Sequence, residues 1–385
     1  MELVYRGVNK LTQDGFHATY EQGKREIFKR LSDPFIERIY SQYSTIERDE
    51  LRTSAVMTEA TNNEYLKVKE EKDKNQRSKS FYYRPGDRFV SVVENARIIG
   101  SKGVPLSEDD QIIADCLAPP YNVTRRSKIA IRSALWDMGL RDFRHQCTTP
   151  RMSLNTAVHL FPSYPNYYHW TAENLLKLHM VLQYGEEYGT YPDILVPKNR
   201  PEWIDDSLDI YDYPGKIIGV GADAVEVDKL IVPNFPDPTI EELEALRDRM
   251  FDNTSINSES DSPRRLFVAR QDATIRRVRN YDVVRSVLSN YGFKTVIPSE
   301  YTVSEQIHLF NDADVIIGPH GAGLTNLIYA SDTSVVELWS NKLSTTFERL
   351  CETLEFSHHR LQCESDRGDL SVDTDDLKVI VDSTL

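Results

Sequence analysis

The sequence predicts an α/β protein made of two Rossmann-like halves. Its length is the first observation behind this, since 385 residues correspond to about two domains at roughly 150 residues each. The second is the pattern from residue 155 onward, where short apolar runs alternate with amphipathic ones, as in a parallel sheet with crossover helices. The third is DNTSINSESDSP (252–263), a polar stretch without apolar periodicity that reads as an inter-domain linker. Two halves joined there leave a cleft between them.

Taken in order, residues 20–42 read as an amphipathic helix broken near Pro34, with Ile27, Phe28, Leu31 and Phe35 at helical spacing. KVKEEKDKNQRSK (67–79) is charge-dense and reads as a solvated helix end or loop. Residues 1–80 are therefore expected to form a helical, polar extension. A strand-and-turn pattern over 87–116 opens the first domain, expected over 81–252. It continues with a strand at 156–161, a helix at 168–189, strands at 193–197, 216–220 and 227–233, and a helix at 239–251. The second domain, expected over 264–385, alternates more cleanly. Strands at 264–270, 293–298, 314–318 and 334–340 are separated by helices at 281–291, 303–313 and 322–330, and Gly292 is suited to cap the first of these.

Composition excludes several classes. Apolar residues reach 40%, enough for cores at this length. With Lys+Arg 46 against Asp+Glu 60, the net charge is −14, which argues against a nucleic-acid coat. The acid excess is compatible with a salty cytosol and equally with an ordinary acidic cytosolic protein. No apolar run approaches the roughly 18 residues of a membrane span, and MELVYRGVNKLTQDG has no leader pattern. A cytoplasmic location is expected. Cys116, Cys147, Cys351 and Cys363 form no CxxC pair, so neither zinc spacing nor a dense disulfide framework is readable.

The most informative segment is DADVIIGPHGAGLTNLIYA (312–330). An apolar strand runs into a Gly-rich loop and then a helix, and ligands of open α/β sheets bind at such strand ends. Gly318, Gly321 and Gly323 would let backbone approach a ligand. The helix start, with Ala322, Thr325 and Asn326, offers free amides suited to a phosphate, and His320 stands on the loop. The glycine spacing fits neither a Walker A loop nor the dinucleotide fingerprint. The bland alternative is a tight turn whose glycines serve packing.

Six arginines and one aspartate over 264–279 make a basic strip in an acidic chain. Arg270 falls at a strand's carboxyl end, where a forked guanidinium matches a diphosphate; Arg264, Arg265 and Arg279 read as a solvated face. Glu337 ends the strand SVVEL and could accept both hydroxyls of a ribose, or simply pair in an ion pair. In NYYHWTAENLLKL (166–178), Asn166 can cap a helix that presents His169 and Glu173 on one face. A carboxylate beside a His among Tyr167, Tyr168 and Trp170 can serve as a general base. The alternatives are a merely hydrogen-bonded trio, or two metal ligands lacking a third.

These segments together resemble glycosyltransferase family 61. The resemblance rests on N-Y-Y-H-W-x-x-E (166–173), A-R-x-x-x-x-x-R-R-V-R-N (269–280), G-F-x-x-V-x-P (292–298), S-E-Q (304–306), I-G-P-H-G-A-G-L-T-N (317–326) and V-V-E-L (335–338), with V-E-N-A-R-I-I-G-S-K-G (93–103) before them. It implies the GT-B fold of two facing Rossmann-like domains, and an inverting transferase without metal or cofactor. The donor it implies is a nucleotide diphosphate sugar, generally a UDP-sugar. The expected acceptor is a hydroxyl of a glycan or lipid-linked glycan in surface polysaccharide or protein-glycan synthesis, which would bring the protein to the inner face of a membrane. On this reading Arg270, Arg277, His320 and the Gly321–Thr325 amides hold the diphosphate, Glu337 takes the ribose, and Glu173, oriented by His169, is the base. A nucleotide-sugar epimerase, or an inactive module that keeps the donor pocket, are the other readings. Residues 1–80 lie outside the resemblance.

Overall fold

The structure is a computed structural model that describes residues 36–59, 66–72, 78–83, 88–117, 123–146, 151–162, 164, 166–234, 238–254, 263–340 and 345–385. Most of the 20–42 helix and most of the 252–263 linker expected above therefore lie outside the described residues.

The first half holds β1 (Thr45–Ile46), β2 (Ala55–Glu59), β3 (Leu66–Lys72), β4 (Ser78–Tyr83), β5 (Arg88–Ile99), β6 (Val104–Leu106), β7 (Ile112–Ile113), β8 (Met152–His159), β9 (Asp193–Pro197), β10 (Ile217–Val220) and β11 (Val225–Pro233). Nine of these form one sheet in the order β1-β7-β6-β5-β11-β8-β9-β10, with β2 on β5. The segment β11-β8-β9-β10 is parallel. β9, DILVP, is buried at its last four positions, as a central parallel strand requires. The sheet is not Rossmann-like throughout, because β5 and β6 run antiparallel to their neighbours.

Two expectations for the chain's start are corrected. The described part of residues 1–80 is mixed rather than wholly helical: the helix Arg48–Thr53 lies between β1 and β2, which join the large sheet. KVKEEKDKNQRSK contributes to strands, with β3 and β4 pairing antiparallel. Their register pairs Lys67 with Tyr82 and Lys69 with Phe81. The helix Val123–Gln146 has no counterpart in the sequence reading. Its low amphipathic contrast, with Arg and Lys on several faces, leaves no clear stripe.

The second half is more regular. β12 (Arg265–Val268), β13 (Lys294–Val296), β14 (Val315–Pro319), β15 (Ser334–Trp339) and β16 (Ser357–Gln362) form an all-parallel sheet in the order β13-β12-β14-β15-β16. Numbered from β12 this is 2-1-3-4-5, so strand order reverses between β12 and β14. One face carries Phe267, Ile317 and Val336 against Val284, Leu288, Leu377 and Val381, from the helices Tyr281–Asn290 and Thr374–Thr384. The other carries Leu266, Ile316 and Val335 against Val303, Ile307, Leu324 and Phe347. Their elements start from Thr302, which makes a capping box with Glu305, from the 3-10 helix Ala322–Tyr329, and from the helix Thr346–Thr353. The 322–330 segment is thus a 3-10 helix, tighter than the α-helix expected. Beyond β16, β17 (Glu364–Asp366) and β18 (Asp369–Ser371) form a small hairpin.

The second apolar face continues into the first half. Trp170, Leu175, Val181, Ile204, Leu208 and Leu243 share its core cluster. The helix Ile240–Asp252, with a capping box between Thr239 and Glu242, adds to this seam. Glu242 also takes both forks of the buried Arg88, which ties β5 to that helix, and Arg247 donates to Ala330 C=O at 3.3 Å.

Candidate active site

The loops after β12 and β14 flank the point where strand order reverses. A cavity of about 290 Å³ opens there, lined by Val268, Arg270, Asp272, Pro298 and Gly323. Tyr167 and Trp203 of the first half line it as well, their rings edge to face at 5.5 Å. Burial pushes the Tyr167 phenol up to about 12, so its hydroxyl stays neutral.

A Cβ at 321 would overlap the Arg270 guanidinium, so a side chain there would push that group aside. Gly318 and Gly323 would instead meet Val268 and Pro298, at 3.0 and 3.3 Å, so they serve strand-to-helix packing. The 3-10 helix closes its first bond from Leu324 N–H to Gly321 C=O at 2.9 Å. The amides of Ala322 and Gly323 precede that bond and are left for an anion.

Arg276 lies close enough to Arg270 and Glu337 to feel both charges. Burial lowers the guanidinium pKa of Arg270, with Asp272 opposing, and that of Arg276, where Arg270 adds like-charge repulsion and Glu337 opposes. Both remain charged, since arginine does not deprotonate in proteins. Arg276 Nε is buried without a hydrogen-bond partner, and its backbone takes φ +61°, the left-handed region that bulky residues avoid. The loop is held there from the C-terminal hairpin. Arg276 N–H donates to Gly368 C=O at 2.8 Å, and Arg277 binds Asp369 through its backbone N–H, Nε and Nη2 at 3.0, 3.2 and 2.8 Å.

Register delivers a third group. Gly318 pairs with Glu337 and Glu337 with Arg360. His320, two residues past Gly318, therefore stands on the face of Glu337. Glu337 is fully buried. Its Oε1 bonds His320 Nδ1, and its Oε2 is 3.1 Å from His358 Nε2 and 3.5 Å from Arg360 Nε. Burial would raise the Glu337 carboxyl, but the bonds from His320 and His358 prevail and hold it at about 2. With Nδ1 engaged, His320 keeps Nε2 for another partner.

On the first half, Asn166 Oδ1 caps its helix by accepting from His169 N–H at 3.0 Å. Trp170–Leu175 is a π-helical turn, a local irregularity frequent at functional sites within what the sequence presents as one α-helix. Asn174 Nδ2 bonds His169 C=O at 2.7 Å, spanning that turn. His169 Nδ1 lies 2.7 Å from Glu173 Oε2, with both side chains largely buried. Phe347 links the halves, packing edge-on to Tyr168 at 6.0 Å and to His320 at 5.1 Å. Among the described residues no group of three or more His, Cys, Asp or Glu is arranged to hold a metal ion, and no helix is long and apolar enough to cross a membrane.

Residues 167–336 match the family model described as Glycosyltransferase 61. This span is similar to glycosyltransferase family 61. No curated protein matches it.

A family 61 glycosyltransferase needs a sugar donor and an acceptor, and the matched span contains the residues singled out by sequence from Tyr167 to Asn326. Arg270, His320, Gly321, Ala322 and Gly323 come together at the β12/β14 crevice. Thr325 and Asn326 do not line it: both are buried, and Asn326 Nδ2 bonds Gln306 Oε1 at 2.7 Å. Arg277 is engaged by Asp369, while its neighbour Arg276 lies near enough to Arg270 and Glu337 to feel both charges. Glu337 cannot meet a ribose, because it is enclosed behind His320 with both oxygens engaged. Arg264 and Arg279 are exposed partners of Asp314 and Asp366, as a solvated face would be. Sequence reasoning missed Arg276, His358, Arg360, Asp272 and Trp203. The adjacency of Arg276 and Arg277 offers two candidates and no means of choosing, while S-H-H-R alternates two basic residues at i and i+2 on one strand face.

Proposed function

We propose that this glycosyltransferase moves a sugar, with inversion, from a nucleotide diphosphate donor to a hydroxyl of a glycan or lipid-linked glycan, using no metal. UDP-sugars are the proposed donors. The two halves act as the facing domains of a GT-B enzyme, meeting near 252–263. The observation that supports this is the pair Arg270 and Arg276, two partly desolvated guanidiniums that feel each other's charge, with Arg270 beside Gly321 at the reversal of strand order. Two like charges removed from water need an anion between them, and a diphosphate supplies two.

In this reading the diphosphate lies against Arg270, Arg276, His320 and the amides of Ala322 and Gly323, with the nucleoside in the cavity toward Asp272 and Trp203. The acceptor hydroxyl approaches from the first half. Glu173, oriented by His169, takes its proton while the oxygen attacks the anomeric carbon. The bond from that carbon to the phosphate oxygen breaks from the opposite side, and the nucleoside diphosphate leaves with the bonding pair. The charge it gains is met by the two arginines, His320 and the loop amides.

A thermal-shift series with UDP, GDP, CMP and their sugars tests the donor half. A rise in melting temperature with UDP ligands that is absent in R270A supports the reading, and no rise with any nucleotide refutes it. Conversion of a UDP-sugar without acceptor would instead make the protein an epimerase.

A further inference from the structure

We propose that Asp272 determines donor specificity by accepting hydrogen bonds from the 2′- and 3′-hydroxyls of the nucleotide ribose. Its role rests on the diphosphate reading above, to which it adds the sugar ring. Those hydroxyls need acceptors, and Glu337 is enclosed with both oxygens engaged. Asp272 is the acidic side chain among the described residues that line the cavity with Arg270. Ala273 N–H donates to Arg270 C=O at 3.2 Å, closing a turn in which Asp272 takes the third position. Such a turn keeps the Cα atoms of its ends within about 7 Å, and the Arg270 guanidinium feels the Asp272 charge. In a nucleotide only the C5′ arm separates the phosphate from the ribose ring. A diphosphate held by Arg270 therefore brings the diol into the neighbourhood of Asp272.

The carboxylate is oriented from the neighbouring loop. Ser299, on the 3-10 turn Pro298–Glu300 that follows β13, donates from Oγ to Asp272 Oδ2 at 2.7 Å. An ionised carboxylate accepts only and has roughly four lone-pair sites, so this bond leaves Oδ1 for a ligand that brings donors. Two adjacent hydroxyls match a carboxylate in a fork. The cavity offers few rival acceptors. Val268, Ala269, Pro298 and Pro319 present no polar side-chain atoms. Gln306 is engaged at both ends, its Nε2 donating to Tyr301 C=O at 3.0 Å and its Oε1 accepting from Asn326. Charge makes the role of Asp272 decidable. A carboxylate this near to a diphosphate repels it, so an idle Asp272 weakens the binding of any diphosphate. Accepting the ribose hydroxyls reverses that sign for a nucleotide and leaves it unchanged for pyrophosphate, which has no ribose.

The test is calorimetric titration of the full chain with UDP, GDP, their 2′-deoxy forms and inorganic pyrophosphate, in the unmodified protein, D272A and S299A. The unmodified protein is expected to bind a ribonucleotide about 10-fold or more tighter than its 2′-deoxy form, the worth of one charge-assisted hydrogen bond. D272A should weaken the ribonucleotide by at least about 10-fold and bring the two forms within about 3-fold of each other. The same variant should bind pyrophosphate more tightly, because the repulsion is gone. S299A frees the carboxylate to turn and should cost the ribonucleotide about 3-fold, again with less loss for the 2′-deoxy form. If D272A weakens both forms equally, or tightens the ribonucleotide as it tightens pyrophosphate, Asp272 does not hold the ribose and the proposal is overturned. If neither nucleotide nor pyrophosphate binds the unmodified protein, the diphosphate reading itself fails.

Discussion

At Arg276 a large side chain holds a left-handed backbone, φ +61°, at a cost of roughly 1–2 kcal/mol. It does so beside a second guanidinium, and strain of this kind persists only where surrounding structure enforces it. R276G should relieve the backbone and leave the melting temperature unchanged or higher. The same change should weaken UDP binding by about 10- to 150-fold, the loss of one charge-assisted bond of about 1.5–3 kcal/mol. Glu337 makes a different prediction. Its folded pKa of about 2 lies below the ordinary 4.5, so its contribution to stability is complete above that ordinary value and is lost as pH falls toward 2. Denaturant unfolding across this acid range should show the loss, and E337Q should flatten that part of the profile while lowering stability at neutral pH. E173Q should reduce transfer by about 100-fold or more with UDP affinity unchanged. Normal turnover in E173Q together with its loss in H169A would give the base role to His169.

Among the elements, the β17–β18 hairpin does work remote from any ligand. Asp369 grips Arg277, and Gly368 accepts from Arg276 N–H, so the hairpin holds the loop that presents Arg276. D369N should weaken UDP binding by about 3- to 10-fold, on the scale of one hydrogen bond, without contacting the nucleotide and with the circular dichroism spectrum unchanged. Unaltered binding in D369N would show that the loop holds itself. The strands β12 to β15 and the helices between them were legible because apolar runs of four to six residues end at Gly, Pro or a capping Thr, and these local signals agree with the tertiary outcome. The π-helical turn at Trp170–Leu175 was not legible. His169 and Glu173 have the same spacing in an α-helix, and the irregularity is set by Asn174 reaching back to His169 and by packing on the second half. β3 and β4 were missed because charge density outweighed alternation.

At the scale of the whole molecule, the two halves share one core cluster and one cavity, with Tyr167 and Trp203 brought to the loops of β12 and β14. That juxtaposition needs the complete fold, which explains why His320, Arg270 and the Gly-rich loop could be identified from sequence while the choice between Arg276 and Arg277 could not. The choice depends on a hairpin more than 80 residues further along the chain, as the Arg277–Asp369 pair shows with a separation of 92 residues. Glu337 was misjudged for a related reason: its strand-end position was readable, but the basic residues of β16 that enclose it were not. The most direct measurement is calorimetric titration of UDP into the unmodified protein, R270A, R276A and R277A. Saturable binding is expected, weakened by at least about 10-fold in each of R270A and R276A and only several-fold in R277A. Full affinity in R270A or R276A, or a greater loss in R277A than in R276A, would overturn the two-arginine site.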